Sequence, residues 1–255
     1  MTVLDSFRLT GKVALVTGGS RGLGRAMAQA LGEAGAAVAV TARARPAAEA
    51  AAAQLTELGL TAIGLDLEVT DVADVERAVA EVGDTLGPID VLLNNAGISI
   101  PAPAMEIEDA DWRSVFATNV DGVWHCSRAV ARVMAEHGGG SIVNVGSMSA
   151  TIVNQPLWQA AYLSSKAAVH QMTKALAAEW APLGIRVNAL APGYFLTEMS
   201  PVDQPQFQPW CVEPAAMKRY GLPPELGPAA VFLAGEGSSF MTGSVVTVDG
   251  GFTLF

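Results

Sequence analysis

The chain predicts an α/β fold: a doubly wound, seven-stranded parallel sheet with helices on both faces. Short β-branched runs alternate with longer amphipathic stretches from one end to the other. Most of those runs are continuously apolar rather than alternating, which suits strands covered on both sides. No linker, repeat or low-complexity tract interrupts the rhythm, so residues 1–255 read as one domain.

Taken in order, Val13–Thr17 opens the sheet and a glycine-rich turn leads into a helix over Gly22–Ala34, which Gly35 follows as a C-terminal signal. The strand Ala37–Thr41 precedes a helix over Ala47–Leu58. The strand Thr61–Leu65 comes next, and Thr70-Asp71-Val72-Ala73-Asp74 supplies capping residues for a helix over Asp71–Leu86. Ile89–Leu93 is the fourth strand, before a long helix over Asp109–Glu136. Ser141–Val145, a helix over Ala160–Trp180, and Ile185–Leu190 continue the pattern. Pro224–Ala234 as helix and Val245–Val248 as strand close it. Ser200 to Leu222 breaks the rhythm: Pro201, Pro205, Pro209 and Pro214 forbid a regular helix. A long loop or broken helical flap is expected there, spanning about 194–222. Loops of that length usually serve function.

Composition narrows the class. Apolar residues make up 51% of the chain and charged residues 16%, against roughly 25% charged in an average soluble chain. Much surface is therefore buried, in a core or between subunits. A formal charge of −10 argues against nucleic-acid phosphate as a partner. Cys126 and Cys211 lie far apart in no paired spacing, and with three His in all neither a Cys/His metal site nor a disulfide scaffold is expected. Asp5 and Arg8 interrupt the N-terminal segment, so no signal peptide is expected. The uncharged stretch Gly138 to Ser165 holds Asn144, Asn154, Gln155, Pro156 and Gln159, which do not suit lipid. The expectation is a cytoplasmic protein with no membrane partner.

Chemistry concentrates at strand ends. After the first strand comes Gly18-Gly19-Ser20-Arg21-Gly22-Leu23-Gly24, whose glycines allow a tight turn and close approach of backbone to a pyrophosphate. The helix N-terminus that follows favours the anion, so the loop reads as a dinucleotide site. At the end of the second strand, Ala42 stands where an acidic residue would hold a free ribose hydroxyl, and Arg43 follows it. Arg21 and Arg43 suit a ribose phosphate, which favours NADP(H) over NAD(H). Tyr162 and Lys166, four apart, share one helical face one turn apart. A phenol needs a cation beside it for acid–base work at neutral pH, and Lys166 is the candidate for that cation.

The glycine loop, Asn94-Asn95-Ala96-Gly97, Asn119, Ser147 and the Tyr162/Lys166 pair together resemble the short-chain dehydrogenase/reductase family, a Rossmann fold. The resemblance runs through Pro192-Gly193 to Val248-Asp249-Gly250-Gly251. Within the family, the segments around Ser147–Pro156 and Ala177–Pro182 resemble polyol dehydrogenases and ketose or carbonyl reductases. The resemblance implies an NADP-dependent oxidoreductase interconverting a ketone and a secondary alcohol. Tyr162 would be the general acid–base, Lys166 would lower its pKa, and Ser147 would bind the reacting oxygen. Asn119 would hold a water leading to Lys166.

For the cofactor it implies Gly18, Ser20, Arg21, Gly22, Leu23, Gly24, Arg43, Glu68, Val69, Asn95, Ala96, Gly97, Pro192, Gly193 and Thr197. The substrate would meet Ser149, Asn154, Trp158, Tyr194 and Trp210, with Met148, Phe207 and Met217 as further lining. Two departures stand out. Ser147 lies 15 positions before Tyr162, and the commoner spacing of 13 falls on Ser149. Glu68 stands where many members carry Asp, with Asp66 as the alternative adenine contact. A 3-oxoacyl-thioester reductase, or a dinucleotide-binding scaffold without catalysis, are the other readings. A homotetramer or dimer is implied. Trp112, Trp124 and Cys126 read as packing residues, and His125 and His170 as polar surface or interface groups.

Overall fold

The computed structural model describes residues 2–255. Seven strands form one sheet in the order β3-β2-β1-β4-β5-β6-β7, every neighbouring pair parallel. They are β1 Val13–Thr17, β2 Ala37–Ala42, β3 Ala62–Asp66, β4 Val91–Asn94, β5 Gly140–Val145, β6 Ile185–Pro192 and β7 Val245–Val248. The helices are α1 Gly22–Glu33, α2 Arg45–Glu57, α3 Val72–Leu86, α4 Asp109–Phe116, α5 Gly122–Glu136, α6 Ala160–Trp180 and α7 Gly227–Ala234.

The continuous apolar strands have a direct explanation. Leu15, Leu92, Ile142 and Val187 face a core built with Val75, Val82, Val130, Met134 and Leu176 of α3, α5 and α6. The chain neighbours Val16, Leu93 and Val143, and Leu190 three residues further along β6, face a second core with Met27, Leu31, Leu55, Ala230 and Leu233 of α1, α2 and α7. Successive side chains point to opposite faces, so a sheet covered on both must be apolar at every position. Asp71 caps α3 by accepting from the Ala73 and Asp74 amides at 2.9 and 3.3 Å, a contact worth about 1 kcal/mol. Arg186 satisfies the carbonyls where α7 ends, donating to those of Leu233, Ala234, Gly235 and Ser238.

Two helices differ from expectation. The span Asp109–Glu136 is divided by a π-helical turn at Ala117–Asp121, where Thr118, Asn119, Val120 and Asp121 are all poor helix formers. The last helix is shorter than expected, because Pro223–Leu226 forms a separate 3-10 turn before α7. The segment after β6 is broken as expected, with a 3-10 turn at Pro205–Phe207 and a π-helical turn at Gln208–Val212. It has a small core of its own: Val202, Cys211 and Val212, with Tyr194, Leu196, Phe207 and Tyr220 against them. Among the described residues no helix is long and apolar enough to cross a membrane.

Candidate active site

The sheet order reverses between β1 and β4, and the loops leaving the carboxyl ends of those strands open a crevice there. Asn95 ties the two loops together. Its amide donates to the carbonyls of Thr17 and Gly18 at 3.1 and 2.9 Å, while Thr17 Oγ1 accepts from the Asn95 and Ala96 amides. A Cβ at Gly24 would stand 2.3 Å from Asn95 Nδ2, so glycine is required there. Gly18 and Gly22 adopt φ of +62° and +55°, which side chains other than glycine's resist. No side chain caps the N-terminus of α1, so its first amides are free for an anion. These features fit a dinucleotide pyrophosphate.

The charges nearby are divided. Arg21 pairs with Glu198 at 2.7 Å, so it is shared between the glycine loop and the segment after β6. Arg43 pairs with no carboxylate among the described residues. Asp66 is paired with Arg45 at 2.8 Å and Arg77 at 3.6 Å. Glu68 turns its carboxylate back onto Thr70, accepting from both the amide and the hydroxyl. Val69 is held instead by His125, whose Nδ1 lies 3.1 Å from its carbonyl. At the far side, the Gly193 amide donates to Val248 at 2.9 Å. Asp249 leaves no room there for a Cβ. Thr197 Cγ2 lies 3.7 Å from a Cβ placed at Gly22, so the two loops meet across the crevice.

The π-helical turn turns Asn119 inward, fully buried. Its Oδ1 accepts from the Ile98 amide at 2.8 Å, and its Nδ2 donates to the Ile98 carbonyl and to Ser165 Oγ at 2.9 and 3.0 Å. One side chain thus joins the loop after β4 to α6. A Cβ at Gly97 would lie 3.2 Å from Asn119 Oδ1 and 3.6 Å from Lys166 Nζ, which places the three at one point.

On α6, Tyr162 and Lys166 face the crevice one turn apart. Lys166 Nζ donates to the Val145 carbonyl at 2.7 Å and lies 5.6 Å from the Tyr162 ring centroid. Burial pulls the Lys166 ammonium down to about 8. Burial also raises the Tyr162 phenol, and a hydrogen bond from Ser147 draws it part of the way back. In the protein without cofactor the Lys166 ammonium donates to the end of β5 and makes no hydrogen bond to the phenol, though it stays beside the ring.

Ser147 Oγ accepts from the Ser149 amide at 3.1 Å, and Ser147 is the serine that lowers the Tyr162 phenol. The Ser147 amide finds His170 Nε2 at 3.5 Å. A Cβ at Gly146 would collide with that imidazole at 2.2 Å. His170 is thus a buried neighbour of the site and not the surface group the sequence suggested. Sequence reading also missed Glu198.

The expected substrate residues divide. Ser149 and Asn154 are buried beside the site. Asn154 Nδ2 donates to Tyr194 Oη at 2.7 Å, and its Oδ1 is buried without a partner. Trp158 and Trp210 stay about half exposed and touch neither Ser147 nor Tyr162 through any polar contact. Phe207 packs partly buried against the small core of its own segment, and Met217 is exposed.

Residues 18–253 match a family model described as enoyl-(acyl carrier protein) reductase. Galactitol 2-dehydrogenase (L-tagatose-forming) of Cereibacter sphaeroides is 44% identical over 252 residues, covering 98% of this chain and 98% of that protein. A gluconate 5-dehydrogenase from Burkholderia cenocepacia J2315, solved in complex with NADP and tartrate, is 39% identical with a TM-score of 0.95 and covers 100% of each chain. A short-chain type dehydrogenase/reductase from Mycobacterium marinum is also 39% identical at a TM-score of 0.95, over 99% of each chain. With the sheet order, the glycine loop and the clustered Asn119, Ser147, Tyr162 and Lys166 all in place, the chain belongs to the short-chain dehydrogenase/reductase family.

Proposed function

We propose that the protein is an NADP(H)-dependent oxidoreductase that interconverts a hydroxyketone, such as a ketose, with the corresponding polyol. The observation that carries this is the buried Ser147–Tyr162 hydroxyl pair with the Lys166 ammonium behind it. Gly18, Ser20, Gly22, Leu23, Gly24, Asn95 and Thr197 would hold the pyrophosphate side of the cofactor. Arg43, helped by Arg21, would meet a ribose phosphate. Val69 would wall the adenine, and Ala96, Gly97, Pro192 and Gly193 the nicotinamide side. When bound, the nicotinamide gives a hydride to the carbonyl carbon or takes one from the carbinol. Ser147 donates to the reacting oxygen as negative charge develops on it. Tyr162 passes its proton to that oxygen in reduction and receives it back in oxidation. Lys166 stabilises the phenolate left behind, and Asn119 keeps the loop after β4 fixed against α6.

The substrate class rests on the relatives: galactitol 2-dehydrogenase and gluconate 5-dehydrogenase act on polyhydroxylated substrates, which supports a hydroxyketone over a plain apolar ketone or a 3-oxoacyl thioester.

In this reading residues 194–222 form a flap over the site. Exposed Phe240, Leu254 and Phe255 support a homotetramer, and two free cysteines support a cytoplasmic setting. The test is nicotinamide absorbance during turnover with ketoses and polyols. NADPH-linked activity is expected, and Tyr162→Phe should lower kcat by about 10²–10⁴ while NADPH still binds. Full activity in that variant would refute the assignment of the acid.

A further inference from the structure

The helix α6 grips the end of β5 through side chains on successive turns. Lys166 Nζ donates to the Val145 carbonyl at 2.7 Å. One turn on, the Ser147 amide donates to His170 Nε2 at 3.5 Å. Further along, Thr173 Oγ1 accepts from Asn144 Nδ2 at 3.0 Å. Tyr162, Lys166 and His170 follow one another at intervals of four and so share one face of the helix. The contact at His170 is long, and glycine at 146 is what permits it: a Cβ there would lie 2.2 Å from Nε2. Lys166, His170 and Thr173 are all buried. Burial, with the Lys166 and Lys174 ammoniums, keeps the imidazole neutral, so Nε2 can accept while Nδ1 carries the proton.

The other bonds of Ser147 are local. Its Oγ accepts from the Ser149 amide and its carbonyl from the Ala150 amide, both in the turn that follows. Apart from the contact with the Tyr162 hydroxyl itself, His170 alone among the described residues ties Ser147 to the helix that carries Tyr162. From this we infer that His170 is a positioning residue: by accepting the Ser147 amide proton it fixes the serine hydroxyl in register with Tyr162. The inference rests on the proposed carbonyl–carbinol reaction, in which Ser147 meets the reacting oxygen. Without the imidazole, Lys166 and Thr173 still hold β5, so the fold persists while Ser147 is free to shift. A misplacement on the order of an ångström costs up to about a hundredfold in rate.

Three variants separate the acceptor from the bulk of the ring. Leucine fills much of the same space and accepts nothing. Glutamine carries Oε1 as many bonds from Cα as Nε2, whereas the Oδ1 of asparagine falls a bond short. In ketose reduction, His170→Leu and His170→Asn should lower kcat by about tenfold, with NADPH affinity within about twofold. His170→Gln should stay within about threefold of wild type. In polyol oxidation with NADP+, the pH that gives half the maximal kcat/KM should move upward in His170→Leu, because the Tyr162 phenol loses the Ser147 contact that lowers it. It should return in His170→Gln. Equal losses in all three variants with that pH unmoved would make His170 a packing residue and overturn the inference, and so would wild-type kcat in His170→Leu. A wild type inactive on ketoses and polyols would overturn the proposed function and this inference with it. If His170→Leu folds poorly, the contrast between His170→Gln and His170→Asn decides, and equal rates in those two would count against the proposal.

Discussion

His170 stands two turns beyond Tyr162 on α6, against the end of β5. The buried Ser147 amide has no acceptor among the hydrogen bonds formed except His170 Nε2, and a buried N–H without a partner is costly. Burial first, then the charges of Lys166 and Lys174, push the imidazole down to about 4. It is neutral at working pH, with a lone pair for Ser147. In the unfolded chain the same group titrates near 6.5. The folded state therefore resists a proton that the unfolded state takes up. The stability contributed is complete above about pH 6.5 and is lost as the pH falls toward 4. The wild-type melting temperature should drop more steeply across that window than that of His170→Asn. Equal slopes would contradict the buried, neutral assignment. Tyr162 and Lys166 were legible in the sequence because their relation is local, one turn of one helix. His170 and Glu198 were not, since they meet partners 23 and 177 residues away.

Elements place the cofactor groups, and they do so unequally. Arg43 emerges just after β2 with no acidic partner, whereas Arg21, the N-terminal cap residue of α1, already pairs with Glu198. Arg43→Ala should therefore weaken NADPH binding by about tenfold or more and leave NADH within about twofold, measured by fluorescence titration. Arg21→Ala should weaken NADPH less. NADPH binding unaffected by loss of Arg43 would remove the argument for phosphate recognition there. Strand positions were readable to within a residue or two, because two buried faces force unbroken apolar runs. The π-helical turn at Ala117–Asp121 was not readable from periodicity. Its cause lies in Asn119, which satisfies both polar groups of Ile98 on a different element.

At the scale of the molecule, the parallel sheet sets every reactive group at one edge. β1 and β4 deliver the glycine loop and Asn95, β5 delivers Ser147, and β6 delivers Pro192 and Gly193. Helices on both faces make this edge rigid, while the segment after β6 carries its own small core and joins the site through Tyr194 and Glu198. The fold and the four central residues were visible in the order of motifs along the chain. The orientation of Lys166, the commitment of Asp66 and the free oxygen of Asn154 depend on contacts that only the folded chain makes.

The most direct test of the account is to supply NADPH deuterated on both hydrogens at nicotinamide C4, with a ketose, and to analyse the product by mass spectrometry. The account predicts one deuterium on the new carbinol carbon of the polyol, with NADPH consumed in equal amount and the transfer lost in Tyr162→Phe. NADPH consumed without deuterium in the product, or transfer undiminished in that variant, would contradict it.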